Sequence, residues 1–211
     1  MAGSGMDRGA GGADGKRPLP PSSFEVHCMG QIESAYFPAE DNLYCQFSVQ
    51  HGNDWQVLAG MESGITQVAS VPGGAGAELV WNFPLDLTFK STNVYGWPQL
   101  VLGVHGNDFL NRHVIKGYGS VHLPTVPGSH ELHVRMFRPL SSSPLQQFIG
   151  WINGTPPEYI DAKRPAMPTG REVTRVESVG VVVLKIHIVT RNMSRFGYSL
   201  PTHAASAVPA V

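Results

Sequence analysis

The sequence predicts an all-β fold, an antiparallel sandwich or barrel of seven to nine strands, and three observations predict it. Apolar and polar residues alternate with a period of two in short runs, turn-forming residues separate those runs, and a single stretch follows helical spacing instead. The clearest run is Val80 to Leu102. Phe83, Leu85, Leu87 and Phe89 share one parity while Asn82, Asp86, Thr88 and Lys90 share the other, as in a strand with one face in a core and one in water. Pro84 has no N–H to give a ladder, so it belongs at an edge or a bulge. The polar turn after Phe89 places Tyr95 and Trp97 on either side of Gly96.

The other strands read as Phe24 to Cys28, Leu43 to Val49, Ile65 to Ala69, Leu100 to Val104, Val114 to Leu123, Leu132 to Phe137, and Val173 to Thr190 with a break at Gly180. Gly52 with Asn53, Gly106 with Asn107, and Pro127 with Gly128 mark reversals. Between Ser143 and Gly154 the spacing changes. Ser143 suits an N-cap, Pro144 the first helical position, and Leu145, Phe148, Ile149 and Ile152 a helical stripe, which predicts a short helix over an open end of the sandwich. Pro156, Pro157, Pro165 and Pro168 make the following segment an irregular loop, and Asn192 to Phe196 can form a last helical turn.

With 211 residues, 42% of them apolar, the chain can build one continuous core. Residues 1–22 are Gly- and Pro-rich and are expected to be disordered, as is the small, polar tail 201–211. The folded domain is expected over 23–200. The N-terminus carries no apolar stretch and so reads as neither signal nor transit peptide, and the apolar run Val179 to Leu184 is far too short to cross a bilayer. Fifteen Lys and Arg against 16 Asp and Glu leave a net charge of -1, which excludes the basic field that attracts nucleic acid. Cys28 and Cys45 both sit in strand-like segments and are expected as free, buried thiols.

The chain holds no G-x-S-x-G elbow, no phosphate loop and no H-E-x-x-H helix, so the common hydrolase, nucleotide and zincin chemistries have no carrier. His122, His130 and His133 are the densest histidine group, but 130 and 133 have opposite parity and no Cys accompanies them, so no metal is expected. Calcium is not expected either. No Asp-x-Asp occurs, and Asp54, Asp86 and Asp108 stand alone beside turns or strands. No cofactor is implied.

Two groups of residues remain as candidates. Trp55, Tyr95, Trp97 and Trp151 are candidate partner-interface residues, because aromatic side chains are enriched in interface cores; the alternative for each tryptophan is a place in the domain core. Arg171 with Arg175 and Arg191 with Arg195 are candidate contacts to anionic lipid, against the alternative of an ordinary solvated surface.

Six segments, MGQIESAYFP (29–38), DNLYC (41–45), GNDW (52–55), VWNFPLDLTFKSTNVYGWPQLVL (80–102), KGYGSVHLP (116–124) and REVTRVESVG (171–180), occur in an order that closely resembles the B9 domain family. The likeness runs from about Phe24 to Leu200. It implies a C2-like antiparallel sandwich of about eight strands with one or two short helices, and a non-enzymatic protein of the ciliary transition zone. It further implies a place on the cytoplasmic side of the ciliary base, near the basal body and cytoskeleton. Other B9-domain proteins and members of the tectonic-like, or Meckel syndrome, complex would be the partners, supporting cilium assembly and the ciliary membrane barrier.

Overall fold

The described residues form nine strands, and in the longer ones period-two alternation becomes burial: β1 Phe24–Tyr36, β2 Tyr44–Gln50, β3 Gln56–Gly60, β4 Ser63–Ile65, β5 Glu78–Ser91, β6 Gln99–Asn107, β7 His113–His122, β8 Gly128–Pro139 and β9 Val176–Arg191. The computed structural model describes residues 22–71, 77–107, 112–139 and 176–199. In β5 the side chains of Leu79, Trp81, Leu85, Leu87 and Phe89 are buried, and those of Val80, Asn82, Pro84 and Asp86 face water. All nine strands join one antiparallel sheet in the order β3-β5-β1-β9-β8-β7-β6-β2-β4.

That sheet folds over to give two layers, and the fold line lies between β8 and β7, which share a single registered pair, Tyr118 with Phe137. Glycine makes the fold line possible. A Cβ on Gly117 would come 2.8 Å from Val179 Cγ2, and one on Gly119 would come 2.6 Å from Met136 Sδ. The layers interlock through rings such as Phe47 of β2 and Phe83 of β5, 5.7 Å apart. The core between them is built from Val26, Ile32, Cys45, Phe47, Leu87, Leu102, Met136, Leu184 and their neighbours.

Both edges of the folded sheet meet along one seam. β3 and β4 are the edge strands and only Met61 and Glu62 separate them. Side chains stitch this seam where backbone does not: Gln67 Nε2 donates to Trp81 O at 2.6 Å, and Trp81 Nε1 donates to Leu43 O at 3.1 Å. β3 pairs with β5 only from Leu87 to Lys90, so Pro84 lies on the uncovered part of β5. Close by, Asn82 has φ 46° and the β1–β5 register shifts between Ile32 and Ser34. A missing donor and a local kink both discourage an unplanned strand from adding here.

Several expected boundaries move. β1 runs on through Gly30 to Tyr36, and β5 begins five residues before Phe83. β3 is an additional strand with no alternation, because an edge strand exposes almost every side chain. The strand expected at Ile65 to Ala69 is instead the shorter β4, Ser63–Ile65, followed by an isolated bridge between Leu43 and Ala69. Gly180 does not break β9. The strand passes through it, and the missing side chain admits Tyr36 O, which would lie 2.5 Å from a Cβ there. A 3-10 turn, Met193–Phe196, stands where a helical turn was expected, and the helix expected over 143–154 lies outside the described residues.

One open end of the two layers is filled with rings. Phe24 is fully buried and makes edge contacts with Trp55, Phe196 and Tyr198 at 5.6, 5.7 and 5.7 Å. Trp55 in turn meets Phe89 at 6.3 Å and Trp97 at 5.0 Å. Phe24→Ala would delete the shared member of three ring pairs, so a loss of about 3–5 kcal/mol is expected in urea unfolding. A loss below about 1 kcal/mol would show that the ring cluster is not structural.

Candidate functional site

The loop from Ser91 to Pro98 crosses the ring-filled end, and its backbone is fixed from several sides. Trp55 Nε1 donates to Tyr95 O at 2.8 Å, and Tyr95 N donates to Asn93 Oδ1 at 2.9 Å. Asn93 Nδ2 donates to Asp54 Oδ2 at 2.6 Å, while Ser91 Oγ lies 3.0 Å from Asp54 O and 2.8 Å from Asn93 O. Gly52 N donates to Gly96 O at 2.8 Å. Gly96 has φ 68° and would place a Cβ 2.5 Å from Gly52 Cα, so both conformation and space require glycine there. On the far side, Trp97 Nε1 donates to Leu123 O at 2.9 Å.

Those bonds separate the aromatic candidates. Trp55 is 3% exposed and Trp97 packs against the core, so their ring surface is used inside the domain to hold the loop. Tyr95 is 81% exposed on a backbone held at both its N–H and its C=O. A large side chain in water on a rigid support loses little entropy when a partner covers it. Trp151 lies outside the described residues.

At the same end, Arg191 Nη1 lies 3.6 Å from Glu25 Oε2 with its side chain 75% exposed, and Arg195 is exposed on the 3-10 turn. Arg171 and Arg175 lie outside the described residues. The histidines are used locally: His130 Nε2 lies 2.8 Å from Val126 O, His133 Nε2 lies 3.1 Å from Glu131 Oε1, and His27 Nε2 lies 2.8 Å from Asp86 Oδ1. Among the described residues no three His, Cys, Asp or Glu side chains gather as a metal site would require.

Comparison with known proteins gives this geometry its family. The family model B9-C2, described as "Ciliary basal body-associated, B9 protein", matches residues 26–189. The chain belongs to the B9 protein family. This B9 domain is 51% identical over 178 residues to B9 domain-containing protein 1 of Mus musculus, covering 84% of this chain and 87% of that protein. Against B9 domain-containing protein 1 of Xenopus laevis the identity is 49% over 179 residues, covering 85% and 90%. B9 domain-containing protein 2 of Bos taurus is 34% identical over 173 residues, covering 82% and 97%. Among solved structures, the C2A domain of plant Extended Synaptotagmin 1 overlays 80% of this chain and 95% of its own with a TM-score of 0.43 at 10% identity.

The sequence also carries a signal that motif searching passes over. Between Arg17 and Lys90 the B9 domain has no Lys or Arg at all, while Glu25, Glu33, Glu40, Asp41, Asp54, Glu62, Glu78 and Asp86 fall in that span. β1 to β5 are therefore an acidic half whose one Lys or Arg on a strand is Lys90 near the end of β5, and the other Lys and Arg residues of the strands collect on β7, β8 and β9.

Cys28 and Cys45 are free and buried. Burial pushes both thiols up to about 12, with the Asp86 charge adding to the effect at Cys28. Since the folded state holds these protons more tightly than the unfolded chain, their contribution to stability is intact below pH 9 and is lost as the pH rises from 9 to 12. At pH 8 neither thiol is expected to react with iodoacetamide until the chain unfolds. Alkylation of the native protein at the rate of a free thiol would contradict that burial.

Proposed function

We propose that this B9 domain is a non-enzymatic scaffold at the ciliary base, which binds other B9-domain proteins within an assembly of the tectonic-like, Meckel syndrome type. In that role it supports cilium assembly and the membrane barrier at the transition zone, from the cytoplasmic side. Its family description, basal body-associated, supports the location. The observation that carries the binding role is Tyr95, an aromatic side chain in water on a loop that Trp55, Asn93 and Gly52 hold still. Such a residue fits the anchor position of a protein interface, where Tyr is among the commonest hot spots.

Calcium-independent contact with anionic lipid is the second reading, supported by Arg191 and Arg195, exposed at the same end of the domain. Each basic residue near such a membrane contributes about 1 kcal/mol, so these two supply about 2 kcal/mol. That falls short of even millimolar affinity, about 4 kcal/mol. Lipid contact in this reading therefore needs a multivalent assembly.

The test is calorimetric titration of the full chain with a B9 domain-containing protein 2. Binding is expected, and Tyr95→Ala should weaken it about tenfold while leaving the melting temperature unchanged. Unchanged affinity would remove Tyr95 as the anchor. No binding by the parent chain, together with flotation on phosphatidylserine vesicles, would make lipid contact the primary function.

A further inference from the structure

Below the Tyr95 loop, the seam between the sheet edges exposes Leu58, Met61, Ile65, Val68 and Val80, at 47, 61, 57, 59 and 52%. They form a strip. Leu58 lies on β3, Met61 in the link, Ile65 on β4, and the Gln67 bond to Trp81 O ties the segment that carries Val68 to the part of β5 that carries Val80. About half of each of five large side chains amounts to a few hundred Å² of apolar surface, the size that marks an interaction site on a single chain. A standard interface takes about 800 Å² from each partner, a little over half of it apolar, so the strip is large enough for one side.

The rim of the strip identifies its occupant. Glu62 lies in the link, Glu78 and Asp86 lie on β5, all three are exposed, and no Lys or Arg occurs on β3, β4 or β5 before Lys90. A second copy docked by two-fold symmetry would set this acidic rim against itself, and like charges facing across an interface repel. An anionic membrane would meet the same repulsion. Addition of a strand to β5 is opposed by Pro84 and by Gln67, which already occupies Trp81 O.

We propose that the β3–β4–β5 seam is a second protein-docking surface, specific for a partner domain that presents an apolar strip rimmed by Lys and Arg. The inference rests on the scaffold reading and adds the surface and its charge. β3 begins one residue after Trp55, so the seam continues from the Tyr95 end, and a single partner can engage both.

The experiment titrates the full chain, its Ile65→Asp/Val68→Asp double variant and Glu62→Lys with a B9 domain-containing protein 2 at low and physiological salt. All positions are exposed, and a thermal melt checks that each variant folds. The double variant is expected to bind about tenfold or more weakly. Glu62→Lys should weaken binding about threefold at low salt and less at physiological salt. Parent affinity in the double variant, with Tyr95→Ala still impaired, would overturn the seam and leave the scaffold reading standing. Failure of the parent chain to bind would overturn the scaffold reading and the seam with it. Concentration-dependent dimerisation lost in the double variant, or flotation on neutral or anionic vesicles lost in it, would overturn the proposal in favour of a second copy or a lipid surface.

Discussion

The ring of Phe24 is the fixed point of this domain. It stands at the first residue of the first strand, has no exposed surface, and touches Trp55 from the β2–β3 loop, Phe196 of the 3-10 turn and Tyr198 just after that turn. Segments more than 170 residues apart in sequence are thus referred to one side chain. Because Trp55 packs on Phe24, its indole N–H points at Tyr95 O, and because that carbonyl is held, the backbone that carries the Tyr95 side chain is fixed. The rigidity of the exposed loop is inherited from the buried ring, through a single intervening tryptophan.

The opposite problem, closing a sheet that has two edges, is solved without a backbone ladder. Gln67 donates to Trp81 O and the Trp81 indole N–H donates to Leu43 O across the seam, and Pro84 leaves β5 poorly suited to pair with a strange strand. A ladder there would have made a barrel and buried the seam. Closure by side chains instead leaves a margin where apolar residues stay in water beside a β5 edge that Pro84 and the Gln67 bond to Trp81 O obstruct. Exposed apolar surface and resistance to strand addition are rarely found together, since an open edge normally invites aggregation.

Much of this was legible from residue order. Alternation in β5 and β2 sets their faces because each has one dry side, and Pro84 announced its own edge. β3 was not legible, since an edge strand with nearly every side chain exposed has no period to read. Gly180 reads as a break when its neighbours in sequence are considered, but its reason is Tyr36 O, almost 150 residues earlier. The roles of the tryptophans were hidden for a similar cause. Trp55 and Trp97 differ from Tyr95 only in what lies over them, and the carbonyls that take their N–H bonds belong to Tyr95 and Leu123, 40 and 26 residues away. The acidic half, by contrast, is plain in the order of residues, but its meaning needs the topology that gathers β3, β4 and β5 on one seam.

The fold line between β7 and β8 has a mechanical meaning. β1 is laced to β5 and to β9 along nearly its whole length, and β9 to β8 likewise, whereas β8 and β7 share one registered pair. A load drawn along the long ladders strains many bonds at once, in shear. A load that draws the two layers apart meets the ladder only at Tyr118 and Phe137, and peels. A pulling trace taken across the layers should therefore yield in two steps, the weaker first, at this line, while the β5-β1-β9-β8 block stays whole.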